Sequence, residues 1–435
     1  MDQPYARTVA VIGSGVAGLT AAYVLSGRDR VTLYEADARL GGHAHTHFVD
    51  DGDGRDGNLI GVDSAFLVHN DRTYPTLCRL FAELGVATQD SEMSMSVRAD
   101  DIGLEYAGAL GVSGLFTCRQ SLRPRYLAML AEIVRFHRAA ARLLRDDGAD
   151  GLETLDAFLS RHRFSSYFVD YFITPLVAAV WSCAGDDALR YPARYLFVFL
   201  AHHGMLSVFG SPTWRTVTGG SATYVRAVAA RLDEVCTSTA VHSLRRVPDG
   251  VVVRAGGHPA RVFDAAVVAV HPDQALLLLD GATPRERAVL GAIPYSTNRA
   301  QLHTDASLLP RHRRVRASWN YLVTPDRDHV VVSYDISRLM RLDTRRRYLV
   351  TLGGHDRVAP DAVLAEMTYS HPLYTPQSVT AQRLLPTLDD DRVVFAGAYH
   401  GWGFHEDGAA SGLRAARRLG ADWPVAARRR EVAPC

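Results

Sequence analysis

The chain has 435 residues, 47% of them apolar, and a formal net charge of +1. That is apolar material for a large core and more chain than one compact unit usually holds. The near-neutral charge excludes the broad basic surface of a nucleic-acid-binding protein. All 48 basic side chains are arginine, and there is no lysine. The five cysteines, at 78, 118, 183, 236 and 435, lie too far apart for metal or redox motifs. Their odd number also argues against a disulfide framework, so the chain reads as cytoplasmic. It runs straight into a strand without a basic-then-apolar leader. The apolar runs "ITPLVAAVW" (173–181) and "YLFVFL" (195–200) fall short of the roughly 20 residues a bilayer requires, which leaves room only for a peripheral membrane contact.

"RTVAVIGSGVAGLTAAYVLSG" predicts a buried strand from Val9 to Ile12, a glycine turn and a helix ending near Gly27. "RVTLYEA" (30–36) is the second strand of a βαβ unit. Residues 51–58, "DGDGRDGN", predict a hairpin tip. They resemble a calcium loop, but Arg55 occupies a ligand slot and Val62 stands where the bidentate Glu belongs. Residues 74–86 and 121–146 predict helices. Residues 152–205 continue mostly helical, with breaks at Pro175 and Pro192. "AVHSLRRVPDGVVVRAG" predicts a hairpin around Pro248–Gly250, and "FDAAVVAV" (263–270) a strand covered on both faces. Four β-type runs between 298 and 352 predict an antiparallel sheet. Residues 392–420 predict strand, glycine-aromatic loop and helix. The tail, 421–435, reads as loosely ordered.

Gly13, Gly15 and Gly18 form G-x-G-x-x-G between a strand and a helix, with Ser14 and Ala17 inside the loop and Glu35 and Ala36 closing the next strand. The first glycine permits the tight turn, the second lets backbone approach a pyrophosphate, and the third allows close helix–strand packing. The helix N-terminus offers free N–H groups to phosphates, and Glu35 can accept from ribose hydroxyls. A second segment, "RLGGHAHTHF" (39–48), follows. Arg39, Gly41 and Gly42 are joined there by His43, with His45 and His47 at alternate positions.

Read with "FAGAYHGWGFHEDGAASGLRAA", these segments resemble the flavin-dependent amine oxidase and phytoene desaturase superfamily. Gly408, Ala409, Ser411 and Gly412 match its C-terminal helix motif. "VVFAG" (393–397), "FDAAVVAVHP" and "TVTGGSATYVRAV" (216–228) match its returning strand, its strand near the adenine and its re-entry segment. The segments "GGHAHT", "RTYP", "ASWNYL" and "GFHEDG" are similar to those of bacterial FAD-binding predicted oxidoreductases. That group is associated with fatty-acyl modification alongside enzymes resembling cyclopropane-fatty-acid methyltransferases. The resemblance implies an α/β fold: a doubly wound, Rossmann-like FAD domain of the glutathione-reductase type, plus an α+β substrate domain with an antiparallel sheet and a helical insertion. FAD-binding segments are expected at 1–75, 206–279 and 386–420, and substrate segments at 76–205 and 280–385. The implied cofactor contacts extend to Ala65, Phe66, Val241, Gly397, Asp407, Gly408 and Ala409. In the family an Asp-x-Gly segment passes the flavin ring; here Asp63 matches and Ala65 replaces the glycine.

The family places an arginine at position 43. His43 is shorter and only partly charged near neutral pH, so it reads as part of an altered cofactor cradle. Three histidines at i, i+2 and i+4 also share a strand face, but they span about 13 Å, too far to converge on one metal ion without a bend. His45 and His47 read equally as polar residues on a half-exposed strand. Tyr399, Trp402, His405 and Glu406 are the candidate catalytic residues. The tyrosine and tryptophan would sandwich a substrate, and His405 or Glu406 would move a proton. Asp407 reads mainly as a helix cap, and Glu406 suits both roles. Trp214, Trp319 and Tyr321 are cavity candidates with core packing as the plainer role.

The expected activity is FAD-dependent desaturation or dehydrogenation of a fatty-acyl or polyene chain. Double-bond isomerisation is an alternative. Amine oxidation is another, weakened because the family's flavin-side lysine has no counterpart here. A non-catalytic flavin-binding partner of a lipid-modifying methyltransferase is a fourth reading.

Overall fold

The computed structural model describes residues 7–51, 59–146, 148, 151–206, 212–324 and 330–423. The predicted hairpin tip with its calcium alternative, and most of the tail, lie outside the described residues.

Five parallel strands form the first sheet, in the order Glu234–Cys236, Arg30–Tyr34, Thr8–Ile12, Ala265–Val268 and Val393–Phe395. Val9 sits beside Val31 on one side and Ala265 on the other. The alternation of a strand sorts its side chains into two cores. Val9 and Val11 pack on the helical side. Ala10 and Ile12 pack with Val251, Val253 and Phe263 on the other. Those three belong to an antiparallel meander, Val241–Val247, Gly250–Ala255 and Arg261–Phe263. The doubly wound expectation holds in part: this meander covers the second face together with the helices Pro272–Leu278 and Pro284–Leu290. The predicted hairpin at Pro248–Gly250 is the first turn of that meander.

The helical face is built from both ends of the chain. Helix Val16–Leu25 lies against helix His405–Arg418. A Cβ on Gly412 would come within 2.2 Å of the Ala17 carbonyl oxygen, and one on Gly408 within 2.5 Å of Val16 Cγ1. These two glycines, four residues apart, share one helix face and let the backbones meet.

The second sheet has seven strands, ordered Val363–Pro372, Tyr295–His303, Leu349–Leu352, Val332–Asp335, Trp319–Val323, Met95–Ala99 and Leu104–Tyr106. The antiparallel expectation holds except for one parallel pair, Trp319–Val323 with Met95–Ala99. Residues 76–205 are therefore not wholly helical, since they supply these last two strands and Thr88–Asp90. The predicted helices there appear as Pro75–Leu84 and Pro124–Arg145. Pro175 does not break its helix. A π-helical turn, Val169–Ile173, precedes it within one helical run, and the Tyr171 carbonyl, four residues before the proline, accepts the Tyr106 hydroxyl at 2.7 Å. Among the described residues no helix is long and apolar enough to cross a membrane.

Candidate active site

A cavity of about 740 Å³ runs from the glycine loop of the first sheet to Trp319 and Tyr334 of the second. At its first end Gly13, Ser14, Gly15 and Ala17 line the wall with Glu35, Ala36, Arg39, Gly42 and Val241. Gly13 has φ +97°, and Gly18 packs so closely that a Cβ would strike the Gly13 carbonyl. Gly41 and Gly18 shape this end from behind the wall. No side chain caps helix Val16–Leu25, and its first turn holds no acid, so its N–H groups stay available to an anion. Glu35 Oε2 accepts from the Ser14 amide at 2.9 Å and the Ser14 hydroxyl at 2.5 Å, while Oε1 accepts from the Asp37 amide at 3.0 Å. A carboxylate offers about four acceptor sites, so one on Oε1 remains for a ribose hydroxyl.

Farther along, His43, Ala65 and Phe66 line the wall with Tyr369, His371 and His405. His43 is half-buried, with its ring 5.1 Å from Tyr369 and 5.2 Å from His371. Burial, reinforced by His371, holds it far below the usual histidine range, so it is neutral. Its Nε2 is buried without a partner. That orphaned atom and the open glycine cradle both fit a polar dinucleotide cofactor. His45 Nδ1 meets the Tyr369 hydroxyl at 2.9 Å, and His47 Nε2 the Ser64 hydroxyl at 3.0 Å. The two hydroxyls meet at 2.7 Å. The histidines thus form one hydrogen-bonded chain with Tyr369 and Ser64. Asp63 accepts from the Ser221 amide and hydroxyl and from Thr46, tying this segment to the helix Ala222–Ala229. Burial raises its pKa to about 6.

His405 stacks on Phe66, centroids 3.8 Å apart and planes 12° apart. Burial, then the nearby His69, lower its pKa to about 3, and its Nε2 has no partner. The surrounding wall is apolar and aromatic: Val180, Trp181, Phe199, Trp214, Trp319 and Tyr334. Trp214 and Trp319 thus face the cavity, whereas Tyr321 is core. The carboxylates among the described lining residues, Glu35 and Asp37, both stand at the nucleotide end.

The expected sandwich of Tyr399 and Trp402 is not formed. Tyr399 lines this cavity but packs on Gly397, which leaves no room for a Cβ there. Trp402 lines a neighbouring cavity of about 520 Å³ with Glu406 and Asp407. Tyr74, His203 and Phe404 border both cavities. Glu406 accepts the amides of Thr76 at 2.9 Å and Leu77 at 3.0 Å, so it caps helix Pro75–Leu84 rather than facing the reaction space. Asp407 accepts the Phe404 amide at 2.9 Å, and burial raises its pKa to about 7. Gly408 and Ala409 were expected at the cofactor; they lie behind the wall, Gly408 against Val16 and Ala409 in the core.

A glycine-loop dinucleotide cradle opening into an apolar cavity between two sheets defines a flavin-dependent oxidoreductase. The chain matches the family model for flavin containing amine oxidoreductase over residues 16–420, and it belongs to that family. Its cofactor is FAD. The fold is similar to that of cyclohexylamine oxidase from Brevibacterium oxydans IH-35A, at 16% identity and TM-score 0.68, over 95% of this chain and 98% of that one. It is also similar to a CLA-producing fatty acid isomerase from P. acnes, at 16% identity and TM-score 0.69, over 97% and 100% of the two chains. A putative protoporphyrinogen oxidase from Exiguobacterium sp. 255-15 is 14% identical, with TM-score 0.67 over 96% and 99%. These likenesses establish the fold alone. No match was found among curated proteins.

Sequence reasoning missed Tyr369, His371, His271 and Tyr295. Tyr369 and His371 stand two apart on strand Val363–Pro372, and His271 stacks on Tyr295 at 4.3 Å. The alternating "YSH" was the available signal, but it lay in a stretch without a motif.

Proposed function

We propose that this enzyme desaturates or dehydrogenates a hydrophobic chain, an acyl or polyene substrate, in the apolar end of the large cavity. The observation that carries this reading is His405: a neutral, half-buried imidazole with a buried, unpartnered Nε2, set among aromatic rings away from the carboxylates that line this cavity. Bound flavin supplies the acceptor for a hydride leaving carbon. Gly13, Ser14, Gly15, Glu35, Arg39, Gly42 and His43 would hold that cofactor. A carbon that has lost a hydride is cationic, and the faces of Trp214, Trp319 and Tyr334 suit such a charge. The neighbouring C–H is then strongly acidic, so a base as weak as His405 suffices to take its proton at Nε2. The dry wall keeps water from trapping the cation.

An ammonium substrate would lose its hydration in this end without gaining a carboxylate, which with the missing lysine disfavours amine oxidation. A fatty acid isomerase shares this architecture, which is consistent with an acyl substrate. The free cysteines Cys78, Cys118, Cys183 and Cys236 support a reducing, cytoplasmic setting. The test is mass spectrometry of lipids extracted from the purified flavoprotein, followed by anaerobic incubation with the lipid found. Flavin bleaching with a product two hydrogens lighter is expected. An unchanged mass with a moved double bond would replace desaturation by isomerisation, and peroxide from an amine would overturn the reading.

A further inference from the structure

Five exposed large apolar side chains gather in one stretch: Val112, Phe116, Leu122, Leu127 and Val134, with Val112 74% and Leu122 70% exposed. Single apolar side chains on a surface are ordinary; several beside one another are not. Tyr126 assembles them. Its buried hydroxyl donates to the Leu115 carbonyl at 2.8 Å, and its ring lies 6.4 Å from Phe116. It thereby joins the short helix Val112–Leu115 to the first turn of Pro124–Arg145. Leu127 and Val134, seven residues apart, share one face of that long helix.

The rim is predominantly basic. From Tyr106 to Ala131 the sequence contains no acid and three arginines, Arg119, Arg123 and Arg125, all exposed. The turn Arg313–Val315 packs beside Val112–Leu115 and adds exposed Arg313 and Arg314. The neighbouring acids are already engaged. Glu105 accepts the amides of Arg311 and His312, Asp100 pairs with Arg98 and Arg311, Asp101 accepts the Tyr171 hydroxyl, and Glu132 holds Ser165 and Arg135.

We infer that this surface docks on an anionic phospholipid bilayer, with the apolar tips entering the interface and the arginines meeting the phosphates. A second copy of the same patch would bring arginine against arginine, which disfavours self-association through it. The inference stands whether or not the substrate is an acyl chain.

The FAD-loaded full chain should co-sediment with vesicles of equimolar phosphatidylglycerol and phosphatidylcholine, bind pure phosphatidylcholine far less, and release as salt is raised. Arg313→Gln or Arg123→Gln should each weaken binding roughly fivefold. Val112→Ser with Leu122→Ser should weaken it at least about tenfold. All these variants should keep the flavin absorption spectrum. Absence of binding to the anionic vesicles at low salt would overturn the inference. So would unchanged binding by the double serine variant, or a double variant whose defect is a changed oligomeric state with vesicle binding intact.

Discussion

His405→Phe keeps a ring stacked on Phe66 and removes only the nitrogen. Under the proposed chemistry turnover should fall by about 10²–10⁴, the range of a general acid or base, while the flavin spectrum stays unchanged; full turnover in this variant would exclude His405 from proton transfer. Glu406→Ala should behave oppositely. Its carboxylate holds two amides at the start of a neighbouring helix, so stability in urea should drop by about 1 kcal/mol with turnover retained. His43→Arg puts a longer, permanent cation where burial keeps a neutral ring. FAD affinity, followed by fluorescence titration of the apoprotein, should weaken about tenfold, the worth of one hydrogen bond to a buried group. Unchanged affinity and turnover would leave the altered cradle without support.

At the scale of elements, the contact of helices Val16–Leu25 and His405–Arg418 decides whether the cofactor end of the cavity forms. Gly412→Val must push a side chain into the Ala17 carbonyl, which is backbone and cannot rotate away. Overpacking of this kind costs about 1–3 kcal/mol. The expected result is a lower melting temperature together with loss of FAD on gel filtration; a stable, yellow variant would show that the helices can separate without opening the cradle. The π-helical turn before Pro175 and the parallel pair between Trp319–Val323 and Met95–Ala99 are likewise element-scale outcomes. Local propensity predicts a helix break at the proline, and packing reverses it.

For the whole molecule the buried histidines set the acid limit. Burial lowers His45 and His405 to about 3, and His69, His203, His303 and His371 to about 4. A histidine depressed on folding contributes stability that is complete above its unfolded value near 6.5 and is lost as pH falls toward its folded value. Asp63, raised to about 6, and Asp407, raised to about 7, act in the other sense: their contribution is present at low pH and lost as pH rises through those values. Six groups oppose two, so the melting temperature should fall as pH is lowered from about 7 to 4.5. A melting temperature that rose over that interval, read by flavin release, would show that the two carboxylates dominate.

The glycine loop, Glu35 and the double-glycine segment were legible in the sequence because their roles rest on backbone conformation and short spacing, which the chain encodes locally. So were most strands after residue 236, Val363–Pro372 excepted, and the helices 75–84 and 124–145, whose apolar periods are strong. The sequence could not say that Glu406 faces a foreign helix, that Trp402 and Tyr399 part into different cavities, or that Tyr369 and His371 join His43. Each of those facts depends on which distant segments pack together, over separations of up to 330 residues, and burial, reinforced by the neighbouring histidines, then keeps His43 neutral.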